Sequence, residues 1–146
     1  MYDRILVPTD GSDASQGAID HAIELAEQYD STVYALYVVD TAAYSSLEMG
    51  SEIVTEALQD EGNAAVEAVV EAGEVAGVEV ETDIKNGVAH QSILGHAEEH
   101  DVDLIVMGTH GRTGVGRVLL GSVAEKVVRT SNVPVLTVQS DASEAK

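Results

Sequence analysis

The residue types best suited to chemistry lie in LIVMGTHGRTGVGRVLLGS, residues 104–122, which carries five of the chain's 13 glycines. Gly108, Gly111, Gly114, Gly116 and Gly121 have no Cβ, so the backbone there can take φ > 0 and come close to a ligand. Ser122 then opens a helix, whose free N–H groups and positive dipole end suit an anion. A strand, a glycine loop and a helix N-terminus in that order make a phosphate cradle. Charge agrees with this reading. Residues 108–130 set Arg112, Arg117, Lys126 and Arg129 against Glu125 alone, a local +3 in a chain of formal charge −19. An anionic ligand is the simplest cause. The competing reading is local: Ser122 with Glu125 fits a capping box, which satisfies a helix start without any ligand.

Two strict nucleotide motifs are absent. Gly116 to Gly121 has P-loop spacing, but Ser122 follows where that motif needs lysine, and no G-x-G-x-x-G follows the first strand. Arg112 and Arg117 are the cations available to offset phosphate charge, and His110 can hydrogen-bond phosphate or face water. Asp10, at the end of the first strand, can accept from a ribose hydroxyl or an adenine amino group and repels phosphate, which leaves phosphate to the glycine loop. Its plain role would be to cap the next helix together with Ser12, Asp13 or Ser15. His96, Glu99 and His100 formally match H-x-x-E-H, but the helix is short and no further ligand is visible, so they read as the solvated face of a helix. No nucleophile, base and orienter stand at a credible spacing, so no catalytic residue and no dedicated metal cage is expected.

The elements that must position these groups alternate. Residues 2–8, 32–39, 78–84, 104–107 and 133–138 read as strands. Helices are expected over 14–29, 48–76 and 89–100 and from Ser122, with Ala18, Ile19, Ala22, Ile23 and Ala26 as the buried stripe of the first. In the long acidic helix the expected buried set is Ile53, Ala57, Ala64, Ala65, Val69, Ala72 and Ala76, with Gly77 as its stop. The short helix should bury Ile93, Leu94 and Ala97, and the last one Val123, Ala124, Val127 and Val128. Alternating strands and helices predict an α/β fold, a single-domain five-stranded parallel sheet with helices on both faces, of Rossmann-like type. Right-handed crossovers favour strand order 3-2-1-4-5. That order reverses between the first and fourth strands, so the loops after them, TDGSDAS and the glycine loop, open one crevice.

Composition narrows the function classes. A length of 146 residues suits one domain, here 1–139 with an acidic tail 140–146, and cysteine is absent, which removes disulfides and thiolate metal sites. The 26 acidic against 7 basic residues argue against nucleic-acid or anionic-membrane partners. No signal peptide or membrane-length apolar run is visible, so a cytoplasmic location is expected. From Glu48 to Ala76 there is no basic residue, and Glu48, Glu52, Glu56 and Asp60 repeat at i,i+4. Such spacing is unfavourable in dilute solution and is relieved by molar salt, which predicts a halophilic, salt-rich cytoplasm.

Gly108, Gly111, Gly121 and Ser122 together spell G-x2-G-x9-G-[ST]. With the opening RILVPTDGS and the closing NVPVLTV, residues 2–139 resemble the ATP-binding branch of the universal stress protein family. The resemblance implies that Asp10 and the backbone of Val38 meet adenine, while Gly108, Gly111, Gly121 and Ser122 lie around ribose and phosphates. Pro8, Thr9, Met107 and Val123 adjoin those positions, and Arg112, which is outside the motif itself, is the cation to offset phosphate charge; together they complete the expected ATP-binding set, with Mg²⁺ carried on the phosphates. It further implies a homodimer through antiparallel pairing of the last strands, Val133 to Val138, and a stress-response role exerted by binding rather than turnover. The alternatives are a slow ATPase or phosphotransferase with Ser122 as acceptor, and a structural dimer that has lost nucleotide.

Overall fold

The structure is a computed structural model that describes residues 2–11, 13–39, 51–109 and 121–139, with backbone alone for 13, 14, 51–55 and 58. Its elements are β1 (Arg4–Pro8), α1 (Asp13–Tyr29), β2 (Thr32–Val39), α2 (Ser51–Ala76), β3 (Glu79–Asn86), α3 (Ala89–Glu99), β4 (Leu104–Gly108), α4 (Ser122–Thr130) and β5 (Val135–Val138). The five strands form one parallel sheet in the order β3-β2-β1-β4-β5, as the alternation of elements predicts.

β1 is central because its apolar run has two faces to bury. Ile5, Leu6 and Val7 are all fully buried, and period-2 alternation sends them to opposite sides. Ile5 and Val7 join Val33, Ala35, Leu104 and Val106 under α1 and α2, while Leu6 joins Leu36, Ile105 and Met107 under α3 and α4. The helix stripes meet these layers. Ala18, Ile19, Ala22, Ile23 and Ala26 are all buried, as their spacing requires.

α2 keeps most of the expected stripe, with Ala65 and Val69 buried and Ala72 and Ala76 packed against the core, and departs from it elsewhere. Ala57 and Ala64 are exposed, and the buried line runs through Gly62, Ala65, Val66, Val69 and Gly73. A Cβ on Gly62 would stand 2.6 Å from Tyr37 Cδ2, so α2 lies closer to β2 than any side chain would permit. Its end is as expected. Gly77, at φ 74°, sends its N–H to Glu74 O at 3.3 Å and Val78 sends its own to Gly73 O at 2.7 Å, a Schellman motif.

Several boundaries move for local reasons. β1 starts at Arg4 rather than Tyr2, whose ring packs edge-on against Tyr29 at 5.4 Å. β5 starts at Val135 because the Val133 N–H is taken by Ser131 Oγ at 3.0 Å and Pro134 has no N–H to give. β3 extends to Asn86, fully paired with β2. In α4 Val128 is 44% exposed, not buried, and Val127 carries the core contact. Among the described residues, no helix is long and apolar enough to cross a membrane.

Candidate functional site

The carboxyl ends of β1 and β4 lie side by side, since these strands pair directly, while α1 and α4, the helices that follow them, pack into the cores on opposite faces of the sheet. The strand ends from which the two segments singled out in the sequence depart therefore lie together at the point where the strand order reverses. On the β1 side, the Thr9 N–H donates to Leu36 O at 2.9 Å and fixes the strand end against β2. The chain then turns through Gly11, at φ 79°, whose N–H donates to Thr9 Oγ1 at 3.2 Å. Asp10 is half-buried, and its Oδ1 accepts from the Ser15 hydroxyl at 2.8 Å.

On the β4 side, the Thr109 N–H donates to Val138 O at 3.1 Å, and Thr109 O accepts from the Gly121 N–H at 2.6 Å. The ends of the glycine segment are thus tied together at its base. Gly121 is the N-cap of α4, with φ −64° and ψ 163°, and has no side chain to bond the helix start. The capping-box reading fails for that reason: Ser122 is already the first helical residue, and Glu125 pairs with Arg129 one turn on. Ser122 is exposed and Val123 is half-buried against the α3–α4 core. The first N–H groups of α4 therefore receive no bond from the cap side chain, the condition in which a helix start suits an anion.

Other expected residues divide by position. Gly108 ends β4 opposite Val138, and Pro8 ends β1 opposite Leu36. Val38 lies two residues beyond Leu36, near the same end of the sheet, and pairs with Lys85 on β3. The Met107 side chain belongs to the core with Leu6 and Ile105, so any contribution there is made by its backbone. His110, Gly111, Arg112, Gly114, Gly116 and Arg117 lie outside the described residues, as do Ile53's side chain and the tail 140–146.

A cavity of about 190 Å³ adjoins the Asp10 turn, lined by Thr9, Gly11, Gln16, Ile19, Glu61 and three alanines of α2. Ala64 is one of these, which accounts for its exposure. Tyr37 donates its hydroxyl to Glu61 Oε1 at 3.3 Å across this wall. Gln16 and Glu61 carry no sequence signal because each looks like an ordinary solvated helix residue, and only the docking of α2 on α1 brings them to this cavity. His96 is the opposite case. It was expected on a solvated face and is 2% exposed.

The universal stress protein family profile matches residues 1–139. Universal stress protein MJ0531 of Methanocaldococcus jannaschii is 44% identical over 146 residues, 99% of this chain and 86% of that one. Universal stress protein YxiE of Bacillus subtilis is 34% identical over 148 residues, 95% of this chain and all of its own. Among solved structures, MJ0577 of M. jannaschii superposes with TM-score 0.85 at 35% identity, covering 95% of this chain and 96% of that one. A universal stress protein in complex with cAMP gives TM-score 0.72 at 25% identity over 96% of this chain and 99% of its own. With fold, strand order and nearly the whole sequence in agreement, this chain belongs to the universal stress protein family.

Proposed function

We propose that the crevice between β1 and β4 binds an adenine nucleotide, ATP with Mg²⁺ on its phosphates, and that the chain is a nucleotide-dependent stress-response module. The observation that carries this is the meeting of the Asp10 turn with the tied base of the glycine segment, Thr109 O to Gly121 N–H at 2.6 Å, beside an α4 start whose N-cap has no side chain. Asp10 and Val38 serve the base, and Gly108, Gly111, Gly121 and Ser122 serve ribose and phosphates, with Arg112 offsetting charge. The residues fit the group because one side of the crevice offers a carboxylate acceptor and the other backbone donors. Mg²⁺ needs few protein ligands when phosphates supply its oxygens. A related protein crystallised with cAMP supports an adenine ligand.

The same reading includes a homodimer built through β5. This strand stands at the sheet edge with β4 as its one strand neighbour, and Leu136 on it is 36% exposed. An apolar edge of this kind favours pairing with a second copy. The exposed acidic surface suits a cytoplasm rich in salt.

The test is calorimetric titration of ATP, with Mg²⁺ and multimolar KCl, into the wild type and Gly121→Val. The variant keeps an accessible φ of −64° and adds a branched side chain at the α4 start. Binding by the wild type alone supports the reading, and steady phosphate release in the same samples would move it towards the slow ATPase. No binding by either folded protein defeats it.

A further inference from the structure

His96, Glu99 and His100 stand at i, i+3 and i+4 on α3, one face of one helix turn. This face lies against β2 and the edge strand β3, which adds Asp83 and Lys85. The three side chains on α3 each offer a ligand atom within 4.8 Å of the other two. His96 Nδ1 is 3.8 Å from Glu99 Oε1 and 3.9 Å from Asp83 Oδ2, and His100 Nε2 is 4.0 Å from Glu99 Oε1. Those separations exceed hydrogen bonds yet surround one small space.

The second observation is His96 itself. Its side chain is 2% exposed, and Nδ1 is buried with no hydrogen-bond partner among the described residues. Native structures rarely leave such an atom unpaired, so a missing partner is the natural explanation. The ring is held in place from the side: its centroid is 4.3 Å from that of His100, and Tyr34 meets it edge-on at 6.5 Å while lying 5.0 Å from His100. Burial, with Lys85 and His100 nearby, lowers the His96 pKa to about 4, against which Asp83 and Glu99 work only in part.

We propose that His96, Glu99, His100 and Asp83 bind a divalent transition-metal ion of the Zn²⁺ class between α3 and the edge strand β3. Two imidazoles with two carboxylates favour such an ion over Mg²⁺ or Ca²⁺, which prefer oxygen alone. Ligand atoms around a tetrahedral Zn²⁺ stand about 3.4 Å apart, so the three α3 ligand atoms, now within 4.8 Å of one another, must close in and Asp83, 3.9 Å from His96 Nδ1, must swing towards them. Glu99 and Asp83 are 60% and 47% exposed and can rotate inward, leaving buried His96 in place. Lys85 Nζ now sits 2.7 Å from Glu99 Oε1 and supplies the positive charge that the ion would replace. This partly exposed pair contributes little and yields readily. Four protein ligands make a closed, structural site that fastens β3 to α3, separate from the nucleotide crevice.

The experiment uses Co²⁺ as the probe, titrated into chelator-treated, nucleotide-free full-length protein and followed by the visible bands of four-coordinate cobalt. One Co²⁺ per chain, displaced by Zn²⁺, is the expected result. His100→Ala and Glu99→Gln change exposed or half-exposed side chains, so the fold survives, and each should weaken Co²⁺ binding roughly tenfold or more. Lys85→Met should tighten it, and Gly121→Val should leave it as it is. Absence of Co²⁺ uptake by the wild type, or uptake by His100→Ala and Glu99→Gln with wild-type affinity, overturns the site.

Discussion

Asp10 and Ser15 hold one another from both directions: the Ser15 hydroxyl donates to Asp10 Oδ1 at 2.8 Å, and the Asp10 N–H donates back to Ser15 Oγ at 3.3 Å. A single buried hydroxyl in the first turn of α1 thus helps orient the Asp10 carboxylate. Ser15→Ala removes both bonds while keeping the helix. The expected loss of stability is about 1–2 kcal/mol, the cost of one net hydrogen bond and a poorly satisfied partner. ATP affinity should fall about tenfold, the 1.4 kcal/mol equivalent of a misoriented acceptor. Urea midpoints and calorimetry read the two effects separately. A variant that loses stability but binds ATP as before would show that Asp10 does not need Ser15 to face its ligand.

Three helical glycines should respond in opposite directions to the same substitution. At Gly73 a Cβ would lie 2.5 Å from Val80 Cγ2 and 2.8 Å from the Val78 carbonyl oxygen, which is backbone and cannot rotate aside. At Gly62 it would press on the Tyr37 ring. At Gly95, on α3, it meets nothing within 4 Å. Alanine favours helix over glycine by about 1 kcal/mol, so Gly95→Ala should raise the melting temperature. Gly73→Ala should lower it despite the same intrinsic gain, because overpacking costs about 1–3 kcal/mol or more. Gly62→Ala should also lower it, by less, since an aromatic ring can shift. Equal effects at Gly73 and Gly95 would mean that α2 can slide away from β2 and β3 freely.

The same glycines explain where the sequence was readable and where it was not. Ile5 to Val7 and Leu104 to Met107 announced central strands because an apolar run with no alternation must be covered on both sides. Strand order follows from chain order and handedness, and it puts the ends of β1 and β4, with Asp10 and Gly108, next to each other. The stripe of α2 is legible at Ala65, Val69, Ala72 and Ala76 but not along its line of closest approach, because that line is marked by Gly62 and Gly73 and glycine carries no apolar signal. The Ser122–Glu125 capping box looked sound because the sequence cannot say which residue is the last non-helical one. A shift of one position gives the cap to Gly121. His96 was hidden more deeply. Its burial depends on Tyr34 and Asp83, which come from strands many residues away and share no local pattern with it.

Salt should stabilise this protein through α2 in particular. Glu56, Asp60, Glu67, Glu71 and Glu74 are all exposed, and residues 48–76 contain no base to offset them. Glu56 with Asp60 and Glu67 with Glu71 are like-charge i,i+4 pairs, each unfavourable by about 0.2–0.5 kcal/mol in dilute solution, within a chain of formal charge −19. The screening length drops from about 10 Å at 0.1 M salt to about 3 Å at 1 M, so KCl should remove most of this repulsion. For a domain of this size about 1 kcal/mol corresponds to about 3–5 °C, and the melting temperature should rise at least that much by 1 M. If screening is the cause, most of the rise is complete near 1 M. The double variant Asp60→Lys, Glu71→Lys should then melt higher than the wild type at low salt and show a flatter salt response. A wild type indifferent to KCl would sink the salt-adaptation reading, and an equal slope in the double variant would move the effect away from α2.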